Sequence, residues 1–180
     1  MFFNALLLLF VSFGARDIAR DIDGHDWRPL DPAGPAEVLF FITNDCPVAN
    51  SYAPEIQRIC SDYAGKNVGC ALVYSDLTLD AAAIRKHHAD FGYAPTIPAI
   101  KDTGHKLAGA TGATITPEAV VVGKGGKVLY RGRIDNFYAA LGKPRRQATE
   151  HDLRQALDEV LAGKPVTHPQ TPAIGCYIPR

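Results

Sequence analysis

Two runs of apolar residues, at 38–42 and 68–74, are bounded by polar or turn-forming residues and show no alternation. Strands buried on both faces read this way, so the pattern predicts strands over 37–43 and 68–74. Between them, residues 47–63 predict a helix kinked near Pro54, because a proline inside a helix lacks a donor and clashes with the preceding turn. Residues 80–91 are rich in helix formers and begin with Asp80, a good N-cap. A short strand follows at 97–100, and 118–123 with 127–132 predict a hairpin around Gly125 and Gly126. In the final helix Thr149 is the expected cap, Leu153, Ala156, Leu157, Val160 and Leu161 form an apolar stripe, and Gly163 then Pro165 end it. Upstream, 21–30 has the turn-punctuated pattern of a hairpin and 31–35 that of a loop. Strands alternating with helices predict an α/β fold whose sheet is covered on both sides.

A chain of 180 residues, 47% apolar, closes one core and is too short for two ordinary domains. Its 19 basic and 19 acidic residues balance, so nothing in the net charge calls for nucleic acid or an anionic membrane as partner. The first 15 residues form an apolar run of signal-peptide length, shorter than the roughly 20 residues of a bilayer span, with Ser12, Gly14 and Ala15 near its end and no Lys or Arg before it. The expected organisation is an export signal at 1–15, one domain at 16–163 and a tail at 164–180. The mature protein is then periplasmic or secreted, with no membrane insertion, in a compartment where disulfides persist. The alternative is a cytoplasmic protein whose N-terminal strand or helix packs on the domain.

Cys46 is the residue that carries the chemistry. It sits where the strand ends and the helix begins, followed by Pro47, which suits a first helical position because it has no N–H to leave unpaired. Unpaired amides and the positive end of the macrodipole favour a thiolate there, and a thiolate is a nucleophile.

Seventy residues on lie Thr116 and Pro117, then an apolar strand, the Gly125-Gly126 turn and a second strand. With the strand-Cys46-Pro47-helix unit, this resembles the thioredoxin superfamily over roughly 22–135. The nearer match is its redoxin branch, related to alkyl hydroperoxide reductases, thiol-specific antioxidants and exported thioredoxin-like reductases. The resemblance implies a thioredoxin-like α/β fold with a central mixed sheet flanked by helices. It also implies a cis bond between Thr116 and Pro117, in a loop lying against the reactive cysteine. The second cysteine of the thioredoxin Cys-x-x-Cys pair is absent, since position 49 is Ala. Thr43 matches the threonine of the peroxiredoxin pattern Pro-x-x-x-Thr-x-x-Cys, which helps hold thiolate and peroxide, but Leu39 stands where that pattern has proline. Thr43 is otherwise an ordinary β-branched strand residue.

Three other thiols compete to resolve an oxidised Cys46. Cys60 lies 14 residues along the same predicted helix, about 21 Å away at 1.5 Å per residue, against a disulfide Cα separation of roughly 4.4–6.8 Å. Cys70 lies within the second strand, as a core thiol or as a partner for Cys60 across the helix-sheet interface. Cys176 lies in a proline-containing tail that extends about 3.3 Å per residue and can cross a small domain to reach Cys46, or merely pack. Copper-handling proteins of this fold use Cys-x-x-x-Cys with a distant histidine, but position 50 is Asn and the six histidines show no ligand spacing. The basic residues Arg131, Arg133, Lys143, Arg145 and Arg146 read as a solvated loop or as a cationic group near the thiol, and Tyr52 and Glu55 as lining the site or facing water.

These readings give a thiol–disulfide oxidoreductase with Cys46 as nucleophile, Cys176 as second thiol, and Thr43, Thr116 and Pro117 around them. No cofactor and no metal are expected. The substrate is a disulfide or a peroxide, and a thiol protein supplies electrons. The alternatives are a thiol peroxidase passing through a sulfenic acid, or a non-catalytic module holding copper or a partner protein.

Overall fold

A computed structural model describes residues 19–178; the expected signal segment at 1–15 lies outside them. The chain runs β1 (Ala19–Arg20), β2 (Asp26–Trp27), β3 (Ala36–Ile42), α1 (Pro47–Ser51), α2 (Ala53–Ala64), β4 (Val68–Tyr74), α3 (Ala81–Asp90), β5 (Ala99–Lys101), α4 (Lys106–Thr111) and β6 (Ile115–Thr116). It continues through β7 (Glu118–Gly123), β8 (Val128–Gly132), β9 (Tyr138–Ala140), β10 (Lys143–Pro144), α5 (Asp152–Leu161) and β11 (Cys176–Tyr177).

Five strands form the central sheet in the order β5-β4-β3-β7-β8. The pairs β3–β4 and β4–β5 are parallel, β3–β7 and β7–β8 antiparallel, so the sheet is mixed. All seven residues of β3 are buried, the apolar run 38–42 as predicted and the charged Glu37 with it. Alternate side chains serve opposite layers. Val38, Phe40 and Ile42 pack with residues of α2, α3 and α5, and Leu39 and Phe41 with Leu107 and Ala108 of α4. The helix-flanked mixed sheet implied by the resemblance is thus the fold observed. The β1–β2 hairpin covers the β5 edge, with Ile22 N–H donating to Ala99 O at 2.9 Å.

The structure departs from expectation at three boundaries. The helix predicted over 47–63 is two helices broken at Tyr52, more than a kink. Tyr52 N–H bonds Ala49 O, and Pro54, lacking an N–H, sits in the first turn of α2, where its donor is not missed. Thr149 does not cap the last helix: its N–H donates to Asn136 Oδ1 and its hydroxyl accepts from Asn136 Nδ2, and the helix starts later, at Asp152, after His151. The strand placed at 97–100 starts instead at Ala99, because Pro98 has no N–H for the ladder and only its carbonyl is used, by Leu72 N–H. After α5 the tail turns back along β8, with Arg131 N–H donating to Pro169 O and Thr171 N–H to Arg131 O, before β11 pairs with β6.

Candidate active site

Cys46 is the N-cap of α1, four residues beyond the end of β3, with extended backbone (φ −79°, ψ 109°) and Pro47 directly after it. Its carbonyl accepts from Asn50 N–H at 2.9 Å, which fixes the turn that aims the thiol. The helix it heads is only five residues long, so the support expected from one long helix is a single short turn. Cys46 is 1% exposed, and its Sγ donates to Thr116 O at 3.2 Å.

Thr116 precedes the cis Thr116–Pro117 bond, in the loop that the resemblance places against the reactive cysteine. The chain reaches this loop through the turn after α4, held by Glu118, whose carboxylate accepts from Thr114 N–H at 2.7 Å. Thr116 is fully buried, and its hydroxyl lies 3.4 Å from that of Thr43. Thr43 therefore finds its partner on the proline loop.

Sequence separation is overcome by the tail. β11 pairs antiparallel with β6, matching Cys176 to Thr116 and Tyr177 to Ile115, and Ile178 N–H extends the ladder to Thr114 O at 2.9 Å. Gly175 makes the approach possible: a Cβ there would lie 2.0 Å from Thr116 O. The result is a Cys176 Sγ 2.7 Å from Cys46 Sγ, across 130 residues of chain. Burial, then hydrogen bonding to Cys46, pushes the Cys176 thiol up to about 11. Cys176 thus keeps its proton at neutral pH and donates it toward Cys46 Sγ.

Behind the thiol lies a buried polar chain that sequence reading missed. Asn50 Nδ2 donates to Asn44 O at 2.9 Å, which leaves Asn50 Oδ1 as acceptor for His87 Nε2–H at 2.9 Å, and His87 Nδ1 as acceptor for the Tyr74 hydroxyl at 2.9 Å. Burial lowers the His87 pKa, consistent with this neutral tautomer. The available signal was the spacing of His87 three residues after Ile84, which turns both inward on α3. Tyr52, at the helix break, is also buried, and its hydroxyl donates to Asp135 Oδ1 at 2.7 Å. It packs with Tyr138 and Phe137 and, with Pro117, lines a small cavity.

None of the other candidates hydrogen-bonds the thiol, though Arg133 lines the small cavity with Tyr52 and Pro117. Glu55 pairs with Arg154 at 2.9 Å, Arg131 serves Gly112 O and Glu118, Arg133 pairs with Asp152 at 2.8 Å, and Arg145 donates to Asn136 O. Lys143 and Arg146 are exposed. Cys60 and Cys70 are buried together at the opposite end of the sheet. Among the described residues, no three His, Cys, Asp or Glu side chains converge as a metal site would.

The sequence pattern of the AhpC/TSA family matches residues 13–131. No curated protein matches the chain significantly. Among solved structures, an uncharacterised conserved protein from Geobacillus kaustophilus is 29% identical with a TM-score of 0.77, covering 91% of this chain and 87% of its own. A hypothetical protein from Sinorhizobium meliloti is 28% identical with a TM-score of 0.74, covering 89% and 88%. A secreted disulfide oxidoreductase of Mycobacterium tuberculosis shares the fold at 16% identity, with a TM-score of 0.54 over 81% of this chain and 94% of its own.

Proposed function

This chain belongs to the AhpC/TSA family, a redoxin family of the thioredoxin superfamily, and we propose that it is a thiol–disulfide oxidoreductase in which Cys46 attacks and Cys176 resolves. The observation that carries the reading is the 2.7 Å approach of the two sulfurs, made by a tail strand docked on the cis-proline loop. In the reducing direction, the Cys46 thiolate attacks one sulfur of a substrate disulfide and expels the other as a thiolate. Cys176 then gives up its proton and attacks Cys46 Sγ, releasing the second substrate thiol. Two electrons pass to the substrate, and the Cys46–Cys176 disulfide left behind is reduced by a donor dithiol. Because Cys46 is almost wholly covered, the strand carrying Cys176 must lift for substrate to reach it. The apolar run at 1–15 and the oxidisable pair fit a protein exported to an oxidising compartment.

The test is trapping with a disulfide substrate. Cys176→Ser should accumulate a one-to-one mixed disulfide on Cys46, and the wild type should yield an intrachain Cys46–Cys176 link. Normal turnover of Cys176→Ser, with no adduct, would reject Cys176 as resolving thiol. The same proteins given peroxide separate the peroxidase reading, which requires peroxide consumption and a sulfenic acid at Cys46. Thr43 bonded to Thr116, and Leu39 in place of proline, favour the disulfide reaction.

A further inference from the structure

The tail beyond α5 is held firmly at one place and lightly at another. At 169–171 it is fastened to β8: Arg131 N–H donates to Pro169 O at 2.9 Å and Thr171 N–H to Arg131 O at 3.1 Å. The Thr171 hydroxyl closes a ring there. Tyr130, fully buried, gives its hydroxyl proton to Arg133 O at 2.6 Å, so Thr171 Oγ1 donates to Tyr130 Oη at 2.6 Å and accepts from Arg133 N–H at 3.2 Å. Gly132 lets the two segments approach this closely, since a Cβ there would lie 2.2 Å from Thr171 Oγ1. Among the described residues, no backbone–backbone hydrogen bond reaches Pro172, Ala173, Ile174 or Gly175. Past them β11 is a strand of two residues, and the side chains around it differ. Tyr177 is 83% exposed, whereas Ile178 is 7% exposed and joins the apolar cluster that holds Leu39, Phe41, Leu107 and Ala113.

We infer, on the reading of Cys46 as the reacting thiol, that residues 172–178 form a strap over it, with Thr171 as the fixed hinge and Ile178 as the latch. These two are then positioning residues: they touch neither sulfur, and they set how often Cys46 is uncovered and how far Cys176 travels from it.

Which hold yields first follows from what each release leaves behind. Releasing the latch withdraws one aliphatic side chain and parts a short ladder, in which Ile178 N–H donates to Thr114 O, and the five-stranded sheet stays intact. Releasing the hinge would take the acceptor from Arg133 N–H and the donor from the buried Tyr130 hydroxyl, and buried polar groups left unpaired are costly. The strap therefore swings from Thr171. Cys176 lies five positions beyond it, so even fully extended chain keeps the thiol within roughly 17 Å of the hinge. A thiol on so short a leash leaves Cys46 to admit a substrate and returns at an effective concentration far above that of a free thiol.

The experiment reads opening in the reduced full chain, with single-amide hydrogen exchange beside the rate at which iodoacetamide alkylates Cys46. In the wild type the Ile178 amide should exchange at least about tenfold faster than the Thr171 amide. Ile178→Ala should speed both exchange at position 178 and alkylation of Cys46 by about thirtyfold or more, with Thr171 still protected, whereas Ile178→Val, which keeps most of the side chain, should change them about fivefold. Thr171→Val, lacking the hydroxyl, should lower protection of its own amide about tenfold, and Thr171→Ser should restore it. Thr171 and Ile178 amides exchanging together in the wild type would mean that the whole tail peels away, and would overturn the hinge. Alkylation of Cys46 unchanged in Ile178→Ala would overturn the latch. No turnover enters these measurements, so they keep their outcome even if Cys176 proves not to resolve Cys46.

Discussion

The two ends of β3 hold two pairs of cysteines built in opposite ways. At the carboxyl end, Cys46 sits on a turn, its partner arrives on a strand from the far end of the chain, and backbone groups of the proline loop surround both. At the amino end, Cys60 and Cys70 are ten positions apart in sequence on a helix and the strand it packs against, inside the core. The first pair owes its geometry to one removable segment, the second to the sheet itself. A pair that depends on a docked tail strand can open without disturbing the core, whereas a pair inside the helix-sheet packing opens only if that packing loosens.

The sharpest separation comes from removing one nucleophile. Cys46→Ser should reduce disulfide turnover by about 10³-fold or more, while Cys60→Ala leaves turnover at Cys46 within about twofold, because the sites are far apart and share no partner. Steady-state reduction of a disulfide substrate measures both. A large loss in Cys60→Ala, with the fold intact by circular dichroism, would merge the two sites into one.

Next in size is the tail. Gly175→Val places side-chain atoms against Thr116 O and should undock β11, lowering the rate of Cys46–Cys176 closure by roughly 10²-fold through lost proximity. The same variant should expose Cys46 and speed its alkylation by iodoacetamide, leaving Cys60 and Cys70 unchanged. Slower alkylation of Cys46 would show that the strand does not cover it.

A smaller effect is read in pH. The Glu37 carboxyl holds its proton up to about pH 8 in the folded protein, whereas its ordinary value is 4.5. Between these values the folded state binds one more proton than the unfolded chain, so stability is greatest below pH 4.5 and falls as pH rises toward 8. Glu37→Gln removes this slope and should raise the melting temperature at pH 8.5 by roughly 5–10 °C relative to wild type, with little change at pH 4.5. Equal pH slopes in the two proteins would show that the carboxyl is not shielded from water.

The smallest effect belongs to the polar chain behind Cys46. Asn50→Ala breaks its bonds to Asn44 O and His87 and leaves buried groups unpaired, at a cost of about 1–3 kcal/mol. Denaturant unfolding gives the loss, and hydrogen exchange should locate the loosening at 44–50 and not at 60–70.

Much of this was legible in the chain. Uninterrupted apolar strands need helices on both faces, and a cysteine followed by proline at a strand end marks a turn, so the layers and Cys46 follow from local pattern. Cys176 could be proposed because prolines keep its segment extended, but its register on β6 rests on Gly175 passing close to another strand, which no local pattern encodes. The break at Tyr52 was underestimated because Pro54 is harmless in a first turn and disruptive later, and sequence does not say which turn it occupies. His87 and Glu37 were missed for one reason: each is a polar residue whose role depends on what a distant element places over it, Asn50 in the first case and Gly69 in the second.

The docking of β11 also sets an order of events during synthesis. Cys46 and Cys176 are 130 residues apart, which at 5–20 residues per second is on the order of ten seconds of translation. For that interval a growing chain carries an unpartnered Cys46 without the strand that covers it. A thiol-reactive molecule met in that interval finds Cys46 unshielded, and the docking of β11 on β6 then sets Cys176 Sγ 2.7 Å from its sulfur.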